Sequence, residues 1–121
     1  SAFDPLNQGL YDKKNSSFLG RGVVFNRYTG GRGKSSASEA NAEFIAKLRK
    51  AMDDNGVKYQ AAEMSKVDVG GGGTIAKYSA YYGMEVIDCG VAVLSMHAPW
   101  EITAASDVKS AYSCYKAFLA L

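Results

Sequence analysis

Short β-branched and apolar runs alternate with segments of helical period along most of this chain, and that alternation restricts its fold more than any other feature. The run GVVFNRY, residues 22–28, lies between glycines and predicts a strand. TGGRGKSSAS then reads as a loop. A helix is expected from about Ser36. Ser36 and Glu39 have the spacing of a capping box, and Phe44, Ile45, Leu48, Ala51 and Met52 fall on one face. Gly56 after Asn55 supplies the stop. VKYQAAEM predicts a second strand, SKVDVGGGG a loop, and TIAKYSAYY a short helix closed by Gly83. MEVIDCG and VAVLSM read as two further strands separated at Gly90. A last helix spans about Ser106 to Leu119, with Val108, Ala111, Tyr112, Tyr115, Phe118 and Leu119 as its apolar stripe. The order β-α-β-α-β-β-α implies an α/β protein with a sheet and flanking helices. Ligand sites in such folds gather at strand ends, which directs attention to loops 29–35, 65–73 and 97–101.

The 121 residues fit one domain able to bury a core without staples. Hydrophobic residues make up 47% and charged residues 21%, the balance of a soluble globular protein. Apolar runs such as VAVL fall far short of the roughly 20 residues of a spanning helix, which excludes a membrane protein of that kind. The net charge is +2, and the basic residues are scattered apart from a modest cluster between Arg21 and Lys34, so no footprint for nucleic acid is present. Cys89 and Cys114 have no metal-binding or redox spacing and read as buried thiols of a reducing, cytoplasmic compartment. The polar opening SAFDPLNQGLYDKKNSS reads as a connecting segment that begins abruptly, as if cut from a longer chain, and no export leader opens it.

Three constellations could carry chemistry. GRGKSS, residues 31–36, places glycine, lysine and serine before the expected helix, but a phosphate loop would need glycine where Tyr28 stands. Presentation of Arg32 and Lys34 to a carboxylate or phosphate competes there with the reading of solvated loop charges. The run of four glycines from Gly70 to Gly73, preceded by Asp68, costs backbone entropy, so close approach of a ligand to the backbone is favoured over a plain linker. Its amides precede a helix and suit a carboxylate, a phosphate or a developing oxyanion. His97, the only histidine, lies at a strand end before Pro99. A lone histidine there is either a hydrogen-bonded structural residue or a metal ligand completed by carboxylates such as Asp68, Asp88 or Glu101.

Taken together, RYTGGRGKSSASEANAEF, KVDVGGGGTIAKY, GMEVIDCGVAVLSMHAPWE and YKAFLAL resemble the aspartyl aminopeptidase and aminopeptidase I family of zinc metallopeptidases, in order and over nearly the whole chain. The segment looks like the C-terminal part of the catalytic domain in the bacterial branch. The resemblance implies a phosphorylase/hydrolase-like α/β catalytic domain with a mixed sheet, of which residues 1–121 form one truncated piece. It also implies two zinc ions, peptide substrates, and a dimer-based homo-oligomer extending to a tetrahedral dodecamer. His97 matches the family's zinc-binding histidine in the S-M-H-A-P run. The family's other ligands and its general base lie upstream of the part that matches SAFDP, so no catalytic residue is expected in this chain and the isolated segment should be inactive. Asp68, Gly71, Gly72, Gly73 and Lys34 are expected on the substrate side, with Arg27 and Arg32 shaping the same pocket. Ala104 and Ala105 depart from the Ser-Lys pair common in relatives, a change expected to affect a surface contact rather than the zinc site. The alternative is a noncatalytic anion-binding or assembly module built on the Gly70–Gly73 loop.

Overall fold

A computed structural model describes residues 1–30, 38–63, 66 and 74–121. Its centre is a three-stranded mixed sheet in the order β4-β1-β5. Strand β1 (Val23–Asn26) runs parallel to β4 (Tyr59–Ala61) and antiparallel to β5 (Asp88–Gly90). Parallel neighbours need a crossover, and helix α1 (Ala42–Asp54) supplies it between β1 and β4. A small antiparallel ladder of β2 (Tyr28–Thr29) and β3 (Ser38–Glu39) lies between β1 and α1. Helix α2 (Ala76–Tyr81) precedes β5, and α3 (Ala105–Leu119) follows it. Two short 3-10 segments, Pro5–Leu10 and Lys13–Asn15, shape the opening.

The alternation of side chains along β1 divides the interior in two. Val23 and Phe25 face α1 and α3, where they cluster with Met52, Val57, Ala111, Cys114 and Ala117. Val24 points the other way and packs with Ala2, Ala62 and Ala92. Gly22 leads into β1 at φ +95, and a Cβ there would lie 2.4 Å from the carbonyl oxygen of Lys58, so only glycine lets β1 meet the start of β4. Gln60 ties the same corner: its side-chain amide donates to the carbonyls of Phe18 and Gly22, and its oxygen accepts from the Phe18 N–H. Asp107, fully buried in the first turn of α3, accepts from the backbone N–H groups of Gly20 and Gly22 at 2.8 and 2.9 Å.

The mixed sheet with flanking helices agrees with the expected fold class, and α3 lies within a residue of its expected bounds. Gly56, at φ +64, follows α1 as the expected stop. Three expectations need correction. Helix α1 begins at Ala42 rather than near Ser36, because Ala40 N–H bonds to the Arg27 carbonyl and draws residues 38–39 into a ladder. The side chain of Asn41, not a Ser36–Glu39 box, then caps the helix by accepting from Phe44 N–H at 2.8 Å. Of the two strands expected over 84–96, only Asp88–Gly90 pairs with β1. Beyond it, Leu94 forms a lone bridge with Ile102.

The third correction concerns α3. Its buried face is Asp107, Ala111, Cys114 and Ala117, while Val108, Tyr112, Tyr115, Phe118 and Leu119 are exposed. Small residues let the helix sit close to β1, and the larger side chains of Phe25 and Met52 fill the interior instead. Among the described residues no helix is long and apolar enough to cross a membrane.

Candidate functional site

His97 lies on a turn made by the chain itself. Leu94 and Ile102 exchange two backbone hydrogen bonds of 2.9 and 3.2 Å, which pinch off residues 95–101. Inside this loop Ala98 N–H donates to the Ser95 carbonyl at 2.9 Å, and both Ser95 (φ 57) and His97 (φ 71) occupy the left-handed region. Such a conformation disfavours residues with a Cβ and persists where surrounding bonds hold it. Here Glu101 Oε1 accepts from the His97 backbone N–H at 2.5 Å. Glu101, which composition offered as a metal-binding carboxylate, thus braces the turn. The exposed His97 side chain borders a cleft of about 400 Å³.

The sheet also contributes to that cleft. Asp88 begins β5 and stands in register with Asn26, the last residue of β1, and both line the cleft. One oxygen of Asp88, Oδ2, is buried and has no hydrogen-bond partner. A buried carboxylate oxygen without a donor is unfavourable, and native structures keep few of them. Ser1, Ser17, Glu63 and Thr74 add further polar residues to the lining. Among the described residues the acidic side chains of the lining are those of Glu63 and Asp88, and no lysine or arginine joins them.

Zinc takes four ligands drawn from thiolate, imidazole and carboxylate groups, with water filling the last position at catalytic sites. His97 and the unpartnered Asp88 place donor types suited to zinc beside one cleft. Yet no group of three or more histidine, cysteine, aspartate or glutamate side chains that could hold a metal occurs among the described residues. The described residues therefore fit zinc only as part of a donor set.

Of the other residues expected at the site, Arg27 lies elsewhere: its guanidinium pairs with Glu39 across the β2–β3 ladder, and it borders a separate pocket with Ile45 and Tyr59. Lys34, Arg32, Asp68 and the glycines from Gly70 to Gly73 lie outside the described residues. Thr74, the next residue after Gly73 in sequence, lines the His97 cleft. Asn26 was missed, and its only signal was a polar side chain ending an apolar strand. The two cysteines are free, with Sγ atoms 3.8 Å apart between β5 and α3. Burial pushes both thiols up, Cys89 far above the usual thiol range.

Comparison with known proteins gives concordant results. The family model described as "Aminopeptidase I zinc metalloprotease (M18)" matches residues 1–119. A probable M18 family aminopeptidase 1 of Clostridium acetobutylicum is 55% identical over 119 residues, which cover 98% of this chain and 26% of that protein. One from Borreliella burgdorferi is 46% identical over 118 residues, with the same coverage of 98% and 26%. The chain thus spans about a quarter of the length of these relatives. Among solved structures, aminopeptidase I from Clostridium acetobutylicum superposes with a TM-score of 0.93 at 55% identity, covering 98% of this chain and 26% of that one. The M18 family aminopeptidase from Thermotoga maritima also gives 0.93, at 44% identity and the same coverage of 98% and 26%.

Proposed function

The chain belongs to the aminopeptidase I (M18) family of zinc metalloproteases, and we propose that it is the C-terminal segment of the catalytic domain of an enzyme that removes N-terminal residues from peptides. The observation that carries the proposal is the Glu101-braced, left-handed turn that places His97 beside a cleft also lined by Asp88, one oxygen of which has no hydrogen-bond partner. A bound metal has to be met by a ligand at a fixed position, and a rigid turn with a strained φ provides one. In this reading His97 contributes one imidazole nitrogen to a two-zinc site, and the remaining ligands and the general base come from parts of the protein outside this segment. Zinc, when bound, polarises the scissile carbonyl and lowers the pKa of a water molecule.

Residues of this chain would take the supporting roles. Asp68 and Gly71, Gly72 and Gly73 are proposed to meet the substrate backbone, and Thr74 at the cleft rim supports that placement. Lys34 is proposed to face an acidic group of the substrate. The apolar face of α3, with Val108, Tyr112 and Leu119 exposed, is read as packing against the rest of the catalytic domain or a neighbouring subunit of a dimer-based homo-oligomer. Two free thiols within contact distance of each other favour a reducing, cytoplasmic setting.

The test is made on the full-length peptidase carrying this segment. His97→Ala is expected to lower bound zinc, measured by elemental analysis, and to abolish release of an N-terminal residue from a chromogenic aminoacyl anilide. Activity and zinc content that both survive the substitution would reject the assignment.

A further inference from the structure

The two cysteines of the chain take no part in the peptidase reading, yet the fold brings them together. Cys89 is the middle residue of β5, in register with Phe25 of β1, and packs against the core that holds Cys114 on the buried face of α3. Their Sγ atoms are 3.8 Å apart and unbonded. A disulfide needs roughly 2.05 Å, so closure asks for a movement of side-chain size rather than a rearrangement of whole elements. Cys114 is buried and Cys89 half-buried, and both border a cavity of about 280 Å³ that Phe44, Leu48 and Phe118 also line. Such a cavity has room for a small uncharged molecule, and its apolar lining disfavours charged thiol reagents. The segment between the two cysteines carries the His97 turn.

We propose that Cys89 and Cys114 form a modification site for hydroperoxides, closing to a disulfide that ties β5 to α3 and brackets the segment carrying the His97 turn. The inference goes beyond the peptidase reading and does not depend on it. In the first step the sulfur of Cys89, the more exposed of the two, attacks one peroxide oxygen. The O–O bond breaks, the thiol proton passes to the departing oxygen, and Cys89 becomes a sulfenic acid while water or an alcohol leaves. In the second step the sulfur of Cys114 attacks Cys89 Sγ and the S–O bond breaks. The departing hydroxide takes the Cys114 proton and leaves as water. The two thiols together give up two electrons, and the hydroperoxide accepts them. Burial holds both thiols protonated and makes the first step slow. The second step benefits from a partner already in contact. Its product is neutral, so the apolar surroundings accept it. A thiol reductant reverses the bond, and in a reducing compartment the pair stands as two thiols.

The experiment uses the folded full-length peptidase carrying this segment. The protein is exposed to hydrogen peroxide, quenched with catalase, alkylated in denaturant and digested with trypsin without reductant. Cleavage after Lys77, Lys109 and Lys116 places Cys89 in peptide 78–109 and Cys114 in peptide 110–116. The expected result is a cross-linked pair of these two peptides, two hydrogens lighter than their sum, with both alkylated forms lost in parallel and both restored by dithiothreitol. Cys114→Ala should leave Cys89 as a sulfenic acid captured by dimedone. Cys89→Ala should leave the buried Cys114 open to alkylation over the same interval.

Both thiols still alkylatable after peroxide, or a cross-link that forms only once the protein is unfolded, overturns the site. So does pairing of either residue with a different cysteine, or oxidation of Cys89 beyond the sulfenic acid with no cross-link to Cys114. The mapping is made on the unsubstituted protein, so it stands even where a variant fails to fold. Zinc content and release of N-terminal residues are separate measurements, and the peptidase reading stands or falls on those alone.

Discussion

Asp107 offers a direct test of how the segment is held together. The residue is fully buried, and its two carboxylate oxygens accept from the N–H groups of Gly20 and Gly22 at 2.8 and 2.9 Å. It thereby fastens the first turn of α3 to the loop that leads into β1. Hydrogen bonds to a charged partner contribute about 1.5–3 kcal/mol each, and an acidic residue in a first helical turn adds roughly 0.3–1 kcal/mol. Asp107→Ala removes all three contributions and leaves two backbone donors without partners. Because the loop around Gly20 regains some water, the expected net loss is about 3–5 kcal/mol, which is a large part of the roughly 5–15 kcal/mol that holds a typical domain folded. Asp107→Asn keeps the shape but turns one acceptor into a donor facing an N–H, and is expected to cost about half as much. Urea unfolding with an unchanged slope gives the energies, and amide hydrogen exchange at Gly20 and Gly22 reports the two bonds individually. An Asp107→Ala chain within about 1 kcal/mol of the parent, or with the Gly22 amide as protected as before, would refute the reasoning.

Two further perturbations test other parts of the fold. Gly22→Ala combines a positive φ of +95 with a Cβ placed 2.4 Å from the Lys58 carbonyl oxygen, and should destabilise the chain by at least about 2 kcal/mol; an unshifted melting temperature would contradict the close approach of β1 to β4. For Cys89 the folded-state pKa is raised by burial and by the neighbouring Cys114. Its contribution is therefore complete below the unfolded thiol pKa of about 8.5 and is lost as pH rises above it, because the unfolded chain gives up its proton first. Stability should decline by less than about 1.4 kcal/mol per pH unit from this group, since Cys89 is partly exposed, and Cys89→Val should flatten the decline in urea titrations at pH 8, 9 and 10.

Local signals located some elements well and others poorly. The limits of α3 and the stop at Gly56 were legible because helical period and a left-handed glycine are properties of neighbouring residues. The start of α1 was not, since the bond from Ala40 to Arg27 joins segments separated by a loop and overrides the Ser36–Glu39 spacing. The face of α3 was misassigned for a related reason. Hydrophobicity marked Val108, Tyr112 and Tyr115 as inward, yet close approach to β1 required the small side chains of Ala111, Cys114 and Ala117. Asp107 shows the same thing: a charged residue inside a helix reads as solvated until its two N–H donors, more than 80 positions away in sequence, come into view.

At the candidate site, the sequence by itself determined the family, the position of His97 beyond the last strand-like run, and the small core that 121 residues can build, because motif order, local period and length are carried by the chain alone. The tertiary structure decided which polar groups share a cleft with that histidine. Asp88 and Asn26 are far apart in sequence and become neighbours only because β1 and β5 pair antiparallel in this register. The same structure turned Glu101 from a possible ligand into a brace and moved Arg27 away to Glu39. Strand register is set by side-chain packing across the whole sheet, so no stretch of sequence read alone can state it.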